Sequence, residues 1–177
     1  MTEPTHVAEV FLTPGELHFA EAATRIRTLL GSCVSLVFWH PLRAIGGMCH
    51  YMLPFRPPPR AADRDGRYGD DAVEAILNSI AAAHANAHEF RVQLFGGGNM
   101  FPAIVQDPRY HIGKLNVEAA RKMLAAHRIA IHGEHVEGVG CRQIAFDTWS
   151  GLVRLRMLAP GRIGTVGKSW NLPTCPI

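Results

Sequence analysis

No apolar run in the 177 residues approaches the ~20 that cross a bilayer, so membrane insertion is not expected. The first twenty residues carry Glu3, Glu9 and Glu16 and lack a basic start followed by an apolar block. That pattern excludes a secretory signal and makes the cytoplasm the expected location. Charge of one sign is scarce too: the formal balance is +3 with Lys and Arg scattered, which excludes the basic face that nucleic acid requires. Cysteine is limited to Cys33, Cys49, Cys141 and Cys175, with no C-x-x-C. The adjacent Cys49-His50 and the i, i+3 pair His132 and His135 lack zinc-finger spacing, so no metal site is expected, and a cytoplasmic chain has little use for disulfides. Gly96-Gly97-Gly98 follow an apolar run without Lys-Ser, Lys-Thr or G-x-G-x-x-G, which argues against a nucleotide. No cofactor is expected. Repeats and low-complexity segments are absent as well.

What is present describes one domain over 1–177, with 47% hydrophobic and 19% charged residues, enough to build a sizeable core. Apolar periodicity predicts strands near 7–12, 16–20, 25–30, 34–39, 46–53, 91–95, 129–136, 141–147 and 152–158. Val73, Ile76, Leu77 and Ile80 recur at helical spacing and predict a helix over 70–86, with Asp70 as its N-cap. A second helix follows Ile112-Gly113-Lys114. Strands in runs around two main helices favour an α+β fold, a layered α/β sandwich of mostly antiparallel strands. Residues 54–68 hold four prolines with Arg56, Arg60, Arg64 and Arg67. This basic loop reads either as a surface connection or, through Arg56 and Arg60, as a rim that meets an acidic protein substrate. Residues 173–177 should fray.

The chemistry concentrates on one hairpin. Gly31-Ser32 delivers Cys33 to the start of the arm at 34–39, His40-Pro41-Leu42-Arg43 turns the chain, and the arm at 46–53 brings back His50. In an antiparallel pair, opposed positions sum to a constant, and any odd sum puts Cys33 and His50 on one face. A sum of 83 would set them directly opposite, with Cβ atoms roughly 4.5–5.5 Å apart. Buried packing is the competing reading of both residues. Cys49 must face away from His50 and is read as packing.

Five blocks then carry a family likeness: TLLGSCVSLVFW at 28–39, GGMCHYMLP at 46–54, RYGDDAVEAIL at 67–77, LFGGGNM at 94–100 and IGKLN at 112–116. In this order they resemble the CheD family of chemoreceptor glutamine deamidases, over about residues 10–157. The resemblance implies that Cys33 is the nucleophile, His50 its base and Thr28 the third catalytic residue. It also implies the sandwich fold of that family and of bacterial toxin deamidases. The substrates implied are glutamines on the cytoplasmic helices of chemoreceptors in bacterial chemotaxis, with glutamyl methyl ester hydrolysis and a CheC-type phosphatase partner in some members. The family's glycine-rich turn ending Gly-Arg is replaced here by Gly138-Val139-Gly140-Cys141-Arg142.

The residues suit that chemistry. An imidazole can take the proton of a thiol that is otherwise mostly protonated at neutral pH. Backbone N–H groups around Gly31 and Ser32 are candidate donors to the tetrahedral oxyanion, and an apparent base near neutrality is expected. Two alternatives remain: a non-catalytic module that binds receptor or phosphatase, and a transamidase in which an amine replaces water.

Overall fold

A computed structural model describes residues 3–59, 63–104, 107, 111–158 and 174–175. Ten strands and two α-helices follow one another as β1 (Ala8–Leu12), β2 (Leu17–Ala20), β3 (Thr24–Leu30), β4 (Val34–His40), β5 (Ile45–Cys49), α1 (Gly69–Ala82), β6 (Arg91–Gly96), α2 (Ile112–Ala126), β7 (Ile131–Val136), β8 (Cys141–Asp147), β9 (Val153–Leu158) and β10 (Thr174–Cys175). They form two five-stranded sheets, one ordered β1-β3-β8-β9-β10 and the other β2-β5-β4-β6-β7. Every pairing is antiparallel except β1 with β3 and β6 with β7. The expected α+β sandwich is what the chain adopts.

Side-chain alternation builds three layers from these sheets. Val37, Trp39, Met48 and Phe95 of the second sheet pack on Ile26, Leu30, Ile144 and Phe146 of the first. The neighbouring residues Val34, Leu36, Phe38 and Leu94 point the other way, onto Ile76 and Ile80 of α1 and Val117 and Leu124 of α2. The second sheet is therefore covered on both faces, by helices on one side and by the first sheet on the other. All seven residues of β4 are buried, and this is why 34–39 reads as a continuous apolar run. The outer face of the first sheet carries charge instead. There Asp147 is wholly buried between Arg25 (2.6 Å) and Arg154 (2.7 Å).

Three expectations need correction. The β4–β5 register sums to 85, as in Val37 with Met48 and His40 with Ile45, so Cys33 does not stand directly opposite His50. α1 ends at Ala82 rather than near 86, because His84 turns left-handed (φ 52°) and Asn86 with Glu89 forms a capping box for the next turn. The N-cap of α1 is Tyr68, and Asp70 lies within its first turn. Thr174–Cys175 pairs with Val153 and Arg154 of β9, and the rest of 173–177 lies outside the described residues.

Candidate active site

The site forms where the two sheets meet at the end of β4. Val34 and Tyr51 exchange both backbone hydrogen bonds at 3.0 Å, and they are flanked by Cys33 on one strand and His50 on the other. Val34 and Tyr51 point toward the helices. Cys33 and His50, one residue off in each direction, point toward the first sheet, where Cys33 packs on the inter-sheet core and His50 meets β3. The odd register keeps the two on one face, as expected, although a diagonal replaces direct opposition.

His50 is 2% exposed and held on three sides. Its backbone is tied to the turn after β1, with Gly15 N–H donating to its carbonyl (2.7 Å) and its own N–H donating to Glu16 O (2.9 Å). The Thr28 hydroxyl donates its single proton to Leu12 O at 2.8 Å. The 2.7 Å contact between Thr28 Oγ1 and His50 Nδ1 must then run the other way, with Nδ1–H as donor. That tautomer leaves Nε2 a bare lone pair, buried and without a hydrogen-bond partner among the described residues. Burial pushes the imidazole down to about 4, with the Leu12 carbonyl and the Glu16 carboxylate partly opposing it. His50 is thus a neutral imidazole through the neutral range, with a pKa below the near-neutral value expected from sequence.

Cys33 is half-buried, and burial raises its thiol above the ordinary cysteine value. Thiol and imidazole are both neutral at rest, an arrangement suited to proton transfer during attack rather than to a preformed ion pair. Around the thiol the backbone is polarised by its bonding. The carbonyls of Gly31 and Cys33 accept from Gly98 N–H and Gly97 N–H, both at 2.8 Å, and Ser32 O accepts from Asn116 Nδ2 at 3.0 Å. No carbonyl among the described residues accepts from the N–H groups of Ser32 or Cys33, and the Cys33 N–H lies against its own sulfur. A cleft of about 100 Å³ opens beside Ser32, lined by Gly98, Met100, Phe101, His111 and Ile112. Phe101 and, beyond it, Ile104 are exposed, as are Met52 and Leu53 at the end of the His50 segment.

The triple glycine is where the backbone crowds most. Gly96 (φ 119°) and Gly97 (φ 69°) hold left-handed conformations, and a Cβ on Gly97 would collide with Val117 and the Gly113 carbonyl. Behind this turn lies Arg142, fully buried, whose guanidinium donates to the carbonyls of Gly96 and Glu137. Sequence reading assigned Arg142 only to the shape of a turn and overlooked Asn116. Both act through bonds between residues far apart in the chain, and no local signal marks them.

The basic rim fares differently. Arg56 donates to Asp71 (2.9 Å) and to Asp63 O (2.6 Å), so its guanidinium fastens the loop to α1 instead of facing a substrate. Arg60 lies outside the described residues. Cys49 is fully buried on the helix side, where burial pushes its thiol up to about 11. Among the described residues no group of three or more His, Cys, Asp or Glu is placed to hold a metal, and no helix is long and apolar enough to cross a membrane.

Known proteins resemble this chain along most of its length. The family model described as CheD chemotactic sensory transduction matches residues 52–157. A probable chemoreceptor glutamine deamidase CheD 3 of Dechloromonas aromatica is 51% identical over 152 residues, covering 86% of this chain and 89% of that protein. The corresponding protein of Pseudomonas syringae pv. tomato is 45% identical over 154 residues, 86% and 91% of the two chains. One from Leptospira interrogans is 35% identical over 160 residues, 84% and 92%. With the family model matching more than half its length and relatives of this identity aligned along most of it, the chain belongs to the CheD family.

Proposed function

We propose that this protein is a glutamine deamidase of chemoreceptors, in which Cys33 is the nucleophile, His50 the general base and acid, and Thr28 the residue that fixes the imidazole tautomer. The observation that carries this reading is the bare, buried Nε2 of His50, set by Thr28 on the same face as the half-exposed Cys33. The side-chain amide of a substrate glutamine enters beside Ser32. The Cys33 proton passes to His50 Nε2 as Sγ attacks the amide carbon, and the oxyanion is received by the N–H groups of Ser32 and Cys33. Collapse breaks the C–N bond while His50 returns the proton to the departing nitrogen, releasing ammonia and leaving a thioester. Water, deprotonated by the same imidazole, then gives glutamate and restores the thiol.

The exposed apolar residues Met52, Leu53, Phe101 and Ile104 support a helical protein substrate that lays an apolar stripe beside the glutamine. The names of the relatives support chemoreceptors as that substrate, and a cytoplasmic reaction is in keeping with that substrate. Methyl ester hydrolysis follows the same path with methanol as leaving group. A CheC-type phosphatase partner is tested by its effect on the rate.

Incubation of a chemoreceptor cytoplasmic fragment with wild type and Cys33→Ser, followed by peptide mass mapping and ammonia assay, tests the proposal. Glutamine-to-glutamate conversion by the wild type alone supports it. Receptor binding without conversion would leave a binding module, and incorporation of an added amine would identify a transamidase.

A further inference from the structure

We propose that Asn116 is a positioning residue for this reaction: its one side-chain amide aims the oxyanion donor of Cys33 and ties the nucleophile loop to the segment that bears the base. The inference rests on the deamidase reading above. Asn116 lies in the second turn of α2 and is wholly buried. Its Nδ2 donates to Ser32 O at 3.0 Å and to Met52 O at 2.8 Å. Ser32 immediately precedes Cys33, and Met52 follows His50 by two residues. One nitrogen on a helix therefore bridges two segments that no other side-chain hydrogen bond joins among the described residues.

The amide is chemically specific to this place. Both acceptors are carbonyl oxygens, so two N–H protons on one atom are required, and Asn has them without a charge. A carboxylate has no donor, and a buried lysine would bring an uncompensated charge. Asn116 Oδ1 is left buried with no partner, a cost a purely structural residue would avoid. From the other side Tyr51 Oη donates to Asn116 O at 2.7 Å, so helix and strand end are locked together.

The effect on catalysis follows from peptide planarity. The Ser32–Cys33 bond is trans, so its C=O and N–H point in opposite directions. Holding Ser32 O on Asn116 turns the Cys33 N–H away from the helix, to the side of its own sulfur, where no carbonyl among the described residues meets it. Gly98 N–H on Gly31 O orients the Ser32 N–H in the same manner. Of the two oxyanion donors, the Cys33 N–H is thus the one aimed by Asn116.

Asn116→Asp keeps the shape and removes the two-proton nitrogen, since an ionised carboxylate has no donor and a protonated one has only one, too few for both carbonyls. For folded enzyme acting on a chemoreceptor fragment, kcat for ammonia release is expected to fall about 100-fold, the loss that follows removal of an oxyanion donor, with KM within about 3-fold. Alkylation of Cys33 by iodoacetamide, which develops no oxyanion, is expected to stay within about 3-fold of wild type. A merely structural role would lower both rates together or neither. An unchanged kcat, or parallel loss of both rates, would overturn the inference. Should Asn116→Asp not fold, Asn116→Ala is judged by the same pair of rates. The control is Cys33→Ser: if it still releases ammonia the deamidase reading fails, whereas an inactive Cys33→Ser beside a fully active Asn116 variant defeats only this inference.

Discussion

Two loops flank the β4–β5 hairpin, and both look functional in the sequence: residues 31–33 before it and 54–68 after it. In the first, all three carbonyls are bound, by Gly97, Gly98 and Asn116, while the N–H groups of Ser32 and Cys33 find no carbonyl acceptor among the described residues. In the second, the polar groups answer one another. Asp71 receives Arg56 Nη1 and Asp65 N–H, both at 2.9 Å, and Asp70 receives the Arg56 N–H at 3.1 Å. A loop that holds its frame and leaves donors open is ready for a ligand, whereas one whose charges close on each other is a fastening. Charge and proline content did not separate the two; the direction of the hydrogen bonds does.

The sharpest way to break this contrast is Cys33→Ser in the open loop, expected to lower turnover by about 10⁴-fold or more in a folded protein, measured by ammonia release. His50→Gln should cost about 10³-fold, since it removes the proton acceptor and keeps the shape. Thr28→Val, which strips the partner of Nδ1, is expected to cost about 100-fold, while Thr28→Ser retains most activity. Activity of Thr28→Val equal to wild type would mean that the tautomer needs no such anchor.

The pH response comes next in size. With His50 held down to about 4, kcat/KM should remain level through pH 6 and fall only as the pH approaches 4. Stability follows with a definite sign. The folded imidazole releases its proton below the ordinary value near 6.5, so the unfolded chain binds more protons between those limits. Stability is then full above pH 6.5 and is lost as the pH falls toward 4, by up to about 3 kcal/mol from this group. An acid limb centred near 7 would contradict the burial of His50.

The smallest effect on turnover belongs to the closed loop. Arg56→Ala should leave kcat and KM within about 2-fold while lowering stability by about 1–2 kcal/mol, because it strands the buried Asp71 carboxylate. Thermal unfolding and steady-state kinetics on the same sample check both halves. A large rise in KM would return Arg56 to the substrate rim.

Much of this architecture was legible because period-two alternation survives in the chain. The boundaries of β1, β3, β6 and β8 and the shared face of Cys33 and His50 all follow from it. The register did not, because the pairing of His40 with Ile45 is set by the four-residue turn between them. The contact of Arg56 with Asp71 was hidden because Asp71 lies on a helix whose acidic first turn reads as capping. Asn116 is silent in sequence for a similar reason: its two acceptors are 84 and 64 positions away. Glutamyl and arginyl side chains advertise themselves by charge, but a backbone carbonyl carries no such signal.

The anchoring of His50 to the first turn of the chain has a practical corollary. Gly15, Glu16 and the Leu12 carbonyl are the mould in which the imidazole is cast. A fragment trimmed to 52–157 would contain neither that mould nor the thiol, although it spans the stretch by which the family is recognised. A shortened chain meant to retain the site should therefore begin ahead of β1, and bulky fusions are better borne elsewhere than against the Thr13–Glu16 bend.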